Sequence, residues 1–254
     1  RRGRITQHNT VSDYFPVEQE YGYSVFSTVF HTEWNGKKLN IIDCPGSDDF
    51  CGAAITAMSV TDTTIILING STGLEVGTQN HFRYTEKLKK PVIFLINQLD
   101  SNECNYEGLV EQLQANYGSK AIPVQYPVET GDNFHQLIDV ILMKQLTYGP
   151  EGGNPTIEDI PASQLEKAQE LQKALIEAAA ENDETLMEKF FETEELTQDE
   201  MREGIRKGMV TRSIFPIFCV CAYKNMGVGR LMEFLGNIVP FVDEMPAVHN
   251  TRGE

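Results

Sequence analysis

The chain has 254 residues, 41% hydrophobic and 23% charged, enough to bury a core as one large domain or two smaller ones. Its 37 Asp and Glu against 21 Lys and Arg give a net charge of −16, which excludes a uniformly basic nucleic-acid binder, since no surplus cation is left to neutralise phosphates. The longest apolar stretches, Val92–Ile96 and the proline-interrupted run 214–223, fall short of the ~20 residues that a membrane span requires, so no membrane partner is expected.

The chain opens on Arg1-Arg2-Gly3 without an initiator Met and shows no signal or transit pattern, so it reads as part of a longer, cytoplasmic protein. Residues 1–20 are polar and aperiodic, a loop or arm. Tyr23 to Trp34 is rich in β-branched and aromatic residues; Asn35-Gly36 and then Leu39-Asn40-Ile41-Ile42 complete a β-hairpin with a type I′ turn. Short apolar runs follow at Thr64–Ile68, Val92–Ile96 and Ile217–Val220, and runs this continuous suit strands covered on both faces. Helical stretches lie around Ala53–Val60, Gln79–Leu88, Tyr106–Tyr117 and Gly229–Val239. Strand alternating with helix predicts an open α/β sheet, whose ligand site lies beyond the carboxyl ends of the strands.

Residues 121–210 break that rhythm. Extended pieces interrupted by Pro123, Pro127, Pro150 and Pro155 give way to helix after Pro161, where Ser163 and Glu166 have capping-box spacing. Thr197 and Glu200 form a second such box, and Arg206-Lys207-Gly208 reads as the end of that helix. The stretch is expected to be an inserted, helix-rich subdomain. Five scattered cysteines, with no CxxC pair, and the dispersed His8, His31, His81, His135 and His249 predict neither a disulfide framework nor a metal cluster.

Three strand ends carry candidate chemistry. Asp43-Cys44-Pro45-Gly46 places a carboxylate where it can reach Mg²⁺ and a glycine amide where it can approach a phosphate, although Pro-Gly after a strand is also an ordinary turn. Asn97-Gln98-Leu99-Asp100 can read a guanine edge, or simply satisfy its own backbone. Cys221-Ala222-Tyr223-Lys224 ends the last strand, where a backbone amide could meet a base carbonyl.

In this order, at successive strand ends, these segments resemble the GTPase domain of P-loop GTP-binding proteins, and most closely that of the elongation factor G family of ribosomal translocation factors. The family's D-T-P-G-H reads here Asp43-Cys44-Pro45-Gly46-Ser47, its N-K-x-D reads Asn97-Gln98-Leu99-Asp100, and its S-A-x-K-N reads Cys221-Ala222-Tyr223-Lys224-Asn225. Tyr21-Gly22-Tyr23-Ser24 is similar to the R-G-I-T of the first switch. Tyr148-Gly149, Asp183-Glu184 and Ile205-Arg206-Lys207-Gly208 look like the subdomain that bacterial members insert before the last strand. The resemblance runs from about Val11 to Pro246.

It implies a P-loop GTPase-type α/β fold, an open, mostly parallel sheet with an inserted α+β subdomain. The expected division is a first GTP-binding part over 1–120, the acidic insert over 121–210, the last strand and helix over 211–243, and a linker over 244–254. GTP or GDP and Mg²⁺ are the implied ligands of the full-length protein. Asn97 and Asp100 would read guanine, Gln98 would cover the base, and Cys221, Ala222 and Tyr223 would flank it. Gly46 would meet the terminal phosphate, and Ser24 and Asp43 would serve the metal. No G-x-x-x-x-G-K-[ST] loop occurs in the 254 residues, so nucleotide is expected to be unbound in this chain, which reads as a trimmed piece.

Ser47 stands where the family has the histidine that orients the attacking water, so hydrolysis is expected to be weak or absent, as in a divergent paralogue. The implied partners are the ribosome, with its stalk protein at the acidic insert and rRNA near the switch regions; a monomer is expected. A non-hydrolysing ribosome-binding regulator and an acidic interaction module on a degenerate scaffold are the alternatives. Residues 158–203 hold 15 Asp and Glu against four Lys and Arg, a net of −11, leaving −5 for the rest of the chain. Such a face would attract a basic protein.

Overall fold

The computed structural model describes residues 3–4 and 7–245; the expected linker beyond Met245 lies outside the described residues. The chain forms two compact units, Arg1–Thr61 with Glu75–Lys89, and Asp62–Leu74 with Lys90–Glu254.

The first unit contains α1 (Pro16–Tyr21), the hairpin β1 (Thr28–Trp34) and β2 (Lys37–Asp43), α2 (Cys51–Val60) and α3 (Val76–Lys87). The hairpin is antiparallel, with Trp34 opposite Lys37 and Thr28 opposite Asp43. Its turn residues Asn35 and Gly36 both have positive φ, 49° and 76°, the type I′ geometry expected of Asn-Gly. Two expectations need correction. The polar arm contains α1, which Pro16 starts with a preset φ and no N–H to satisfy. The first hairpin strand begins at Thr28 and not at Tyr23, because the Val25 and Phe26 amides donate to the Glu18 carboxylate, both at 3.0 Å, instead of to a strand.

The second unit holds a parallel four-stranded sheet in the order β3 (Thr64–Asn69), β4 (Val92–Asn97), β10 (Phe215–Cys219), β5 (Ala121–Pro123). β4 and β10 are the inner strands, and Val92–Ile96 and Ile217–Cys219 are buried throughout, as continuous apolar runs require. α4 (Tyr106–Tyr117) precedes β5 and α8 (Val228–Asn237) follows β10.

The stretch 121–210 is richer in strand than its prolines suggest. β5 lies at its start and pairs with β10 in the parallel sheet. Val124 extends that pairing by donating to the Ile217 carbonyl at 3.0 Å, and the chain then enters a second, antiparallel sheet. This is the meander β6 (Gln125–Pro127), β7 (Gln136–Asp139), β8 (Lys144–Thr147), β9 (Thr156–Glu158). Three helices follow: α5 (Ala162–Ala180), α6 (Glu184–Thr193) and α7 (Gln198–Thr211).

The capping box at Thr197 and Glu200 is present and opens α7. The one expected at Ser163 is not, because α5 starts a residue earlier, at Ala162 after Pro161. α7 also runs past Gly208 to end at Thr211. A Cβ at Gly208 would lie 2.6 Å from the Ile214 side chain, so this glycine permits a close approach and does not end the helix. Gly204 does the same against α5, where a Cβ would lie 2.5 Å from the Ala179 carbonyl. No helix among the described residues is long and apolar enough to cross a membrane.

One buried charge joins the meander to α8. Asp139, 1% exposed, accepts from Arg230 Nε at 2.8 Å, from Gln125 Nε2 at 3.2 Å and from the Leu142 amide at 2.8 Å. Arg230→Ala leaves that carboxylate buried without its cation and should lower unfolding stability by about 3–5 kcal/mol. Urea denaturation of the variant checks this; a loss below about 1 kcal/mol would show that the pair is not what balances Asp139.

Candidate functional site

The predicted residues divide between the two units. In the first, β2 ends at Asp43, half-buried and paired across the hairpin with Thr28. Cys44 follows, its thiol pushed up chiefly by burial, with Ser27 Oγ 3.5 Å away. Pro45 is buried, and Gly46 and Ser47 are exposed. No other part of the chain comes within 4 Å of a Cβ built on Gly46, and its φ is not positive. Neither crowding nor backbone conformation calls for glycine there. Ser47 caps the short turn Asp48–Phe50, its Oγ accepting from the Asp49 amide at 3.4 Å.

Ser24, the candidate switch hydroxyl, donates to Asp13 Oδ1 at 2.7 Å. Its segment is organised by Glu18, which sequence reasoning missed. Glu18 is 1% exposed, and its carboxylate collects the Phe15, Val25 and Phe26 amides at 3.2, 3.0 and 3.0 Å. Burial alone would raise its pKa, but the three amide bonds outweigh burial and hold it below the ordinary 4.5. The available signal was the spacing from Phe15 to Glu18, a helix start followed three residues later by an acid.

In the second unit the loops after β4 and β10 meet. Asn97 Oδ1 accepts from the Ala222 amide at 3.0 Å. Gln98 is exposed and held at φ 65°, while Leu99 is fully buried and its carbonyl accepts from Gly131 at 2.8 Å. Asp100 pairs with Lys224 Nζ at 3.4 Å. Burial first, and then the neighbouring Asp100 carboxylate, push the Cys221 thiol to about 11. Reciprocal bonds of 3.0 Å between Cys221 and Met226 close the loop, leaving Tyr223 69% exposed. Asn97, Asp100, Cys221 and Ala222 are therefore brought together. Lys224 is a member of this group to which sequence reasoning gave no role, although it stands within the quoted segment.

These residues fit a guanine at the base end: an Asn fixed by the Ala222 amide and a carboxylate acceptor converge at the carboxyl ends of the two inner strands. The phosphate and metal end does not fit Mg²⁺ and a triphosphate from this chain's residues alone. The Walker-type loop is not among the 254 residues, the Ser24 hydroxyl is engaged by Asp13, and among the described residues no group of three His, Cys, Asp or Glu could hold a metal. Ser24 and Asp43 can supply only part of a shell that Mg²⁺ completes with water and phosphate oxygens.

A parallel α/β sheet with these loops at its inner strand ends defines the P-loop GTPase class of fold. Residues 1–241 match the family described as the elongation factor Tu GTP-binding domain, and the chain belongs to that family. It is 32% identical over 235 residues to an elongation factor G-like protein of Thermotoga maritima, covering 92% of this chain and 34% of that protein. Its fold is similar to a Thermus thermophilus protein of known crystal structure, with TM-score 0.87, 26% identity, and 94% of this chain and 36% of that one covered. The chain thus spans about a third of the length of these relatives.

Replacing the buried carboxylate of the first unit tests its structural part. Glu18→Gln puts an NH₂ where an amide donor needs an acceptor and should lower stability at pH 7 by about 1–3 kcal/mol. A carboxylate whose folded pKa is depressed stabilises above its unfolded value, and that stabilisation is lost as pH falls through the folded one. The wild-type advantage in urea denaturation should accordingly be full at pH 7 and shrink below 4.5. An advantage that stays constant down to about pH 3 would contradict the assignment.

Proposed function

We propose that the chain is the guanine-nucleotide domain of an elongation factor G-like protein that acts on the ribosome during translocation, with weak or absent GTP hydrolysis. The observation that supports this most is the bond from the Ala222 amide to Asn97 Oδ1, which ties the two base-reading loops together beside Asp100. Asn97 and Asp100 select guanine, the Ala222 amide holds Asn97 in place, Cys221 lies beside them, and Gln98 and Tyr223 lie along the base faces. Gly46 lies where glycine is unexplained by the chain's own packing, as suits a loop that a phosphate approaches. In the full-length protein with nucleotide bound, Ser24, once released from Asp13, and Asp43 would offer oxygens toward Mg²⁺, which would supply charge neutralisation. Stretch 121–210 is the inserted subdomain, whose acidic helices attract the basic partner surface of the ribosomal stalk, and the switch region faces rRNA. The protein works as a cytoplasmic monomer.

Weak hydrolysis follows from Ser47. Phosphoryl transfer depends on a positioned water, and a serine hydroxyl is shorter than imidazole; here it also serves as a turn cap. A non-hydrolysing ribosome-bound regulator is the second reading, favoured by the same residue.

Two measurements on the full-length protein test these statements. Asp100→Asn removes the carboxylate that accepts from guanine and should weaken GDP binding about ten- to a hundredfold, with loss of preference over other purine nucleotides. Unchanged affinity and selectivity would leave an acidic interaction module as the better reading. Ser47→His should raise ribosome-stimulated GTP turnover about a hundredfold; wild-type turnover already at that level would remove the case for impaired hydrolysis.

A further inference from the structure

The base-reading carboxylate has a partner from its own chain. Lys224 Nζ lies 3.4 Å from Asp100 Oδ2, with side chains 32% and 23% exposed. The pair is reachable from solvent and is not locked in the core. The cation is held from behind. Asn225 has φ 57°, its amide donates to the Ala222 carbonyl at 3.1 Å, and its own carbonyl accepts from Gly153 at 2.9 Å. Gly152, at φ 64°, lies so close that a Cβ there would come within 1.8 Å of the Lys224 carbonyl. The main chain at Lys224 therefore has no room to retreat, and any departure from Asp100 is made by the side chain alone.

We infer that Lys224 is a specificity-determining latch at the base site: its ammonium occupies the Asp100 carboxylate and competes with the purine donors for it, while the glycine turn 152–153 fixes its main chain in place. A base that offers donors to Asp100 displaces the ammonium; a base that does not leaves the pair intact. Guanine affinity is thereby reduced, and the discrimination comes from the exchange of one partner for another. This rests on the guanine reading proposed above.

The test uses GDP and ADP titrations of the full-length protein, together with mass-spectrometric measurement of Lys224 acylation. Lys224→Gln, and Lys224→Met as a variant that keeps the apolar stem, should tighten GDP binding about two- to fivefold at low salt, the gap closing as salt rises. In an Asp100→Asn background the same substitutions should have no effect on GDP, since their target is gone. Without nucleotide, Asp100→Asn should speed acylation of Lys224, and GDP added to the wild type should speed it too. GDP affinity that drops or stays level in both Lys224 variants, while Asp100→Asn weakens it, overturns the latch and leaves guanine reading intact. Acylation of Lys224 indifferent to Asp100→Asn overturns the pair itself. GDP binding indifferent to Asp100→Asn overturns both the latch and the reading beneath it.

Discussion

The base side of the molecule depends on one hydrogen bond, from the Ala222 amide to Asn97 Oδ1, joining residues 125 apart in sequence. β4 and β10 pair directly through Phe94–Ile217, Leu95–Phe218 and Ile96–Cys219, and Val220 still donates to Ile96 at 2.8 Å. Beyond that point the backbones separate. The Asn97 side chain supplies the next acceptor and so carries the ladder one step past the end of the sheet. Ala222 is exposed, so the bond adds little stability; its effect is positional, fixing the loop after β10 against Asn97. The position of Lys224 beside Asp100 follows from that constraint.

The features legible in the sequence were those encoded locally. Asn35-Gly36 is a turn because its residues tolerate positive φ, and the runs at Val92 and Ile217 are strands covered on both faces; the run at Thr64 is a strand too, but at the sheet edge, where Leu67 is 62% exposed and not covered as expected. Thr197 and Glu200 cap α7 reciprocally, as their spacing within the sequence predicts. What escaped was set by distant partners. The meander consists of strands of three and four residues, too short for a period to emerge, and one of them ends on a proline, Pro127. α7 passes Gly208 because Ile214 needs the space, which spacing within the helix cannot reveal. The start of β1 moved because Glu18, one of three acids in the polar segment 1–20, takes two amides that a propensity scale assigns to a strand. At the base site, Asn97 and Asp100 were legible as a pattern, whereas the Asp100–Lys224 pair required the fold.

The acidic stretch also reads differently once its ion pairs are known. Lys189 bonds Glu200, Lys207 bonds Asp183 and Glu203, and Arg206 bonds Glu203 and Glu244. Exposed pairs of this kind add little to stability. Their greater effect is to absorb basic groups, leaving carboxylates to set the sign of the surface over 158–203. A net of −11 within 46 residues is a local field, screened within about 8 Å at physiological salt. It bears on how fast a basic partner arrives and not on how the α/β unit folds.

The two sets of candidate residues also differ in readiness. At the base end Asn97 already accepts from Ala222, so its side chain is set before a ligand arrives, while Asp100 is paired with Lys224. In the other unit Ser24 is committed to Asp13 and Ser47 to the Asp49 amide, so recruiting either hydroxyl requires breaking a bond the chain now makes. Preorganised groups discriminate at little cost in ordering, while groups that must exchange partners respond only when a new partner outcompetes the old one. The Asn97 side chain is thus fixed at an inner strand end, whereas Asp100 and the two serines each hold a replaceable partner: Asp100 a lysine ammonium, Ser24 a carboxylate acceptor and Ser47 a backbone amide donor.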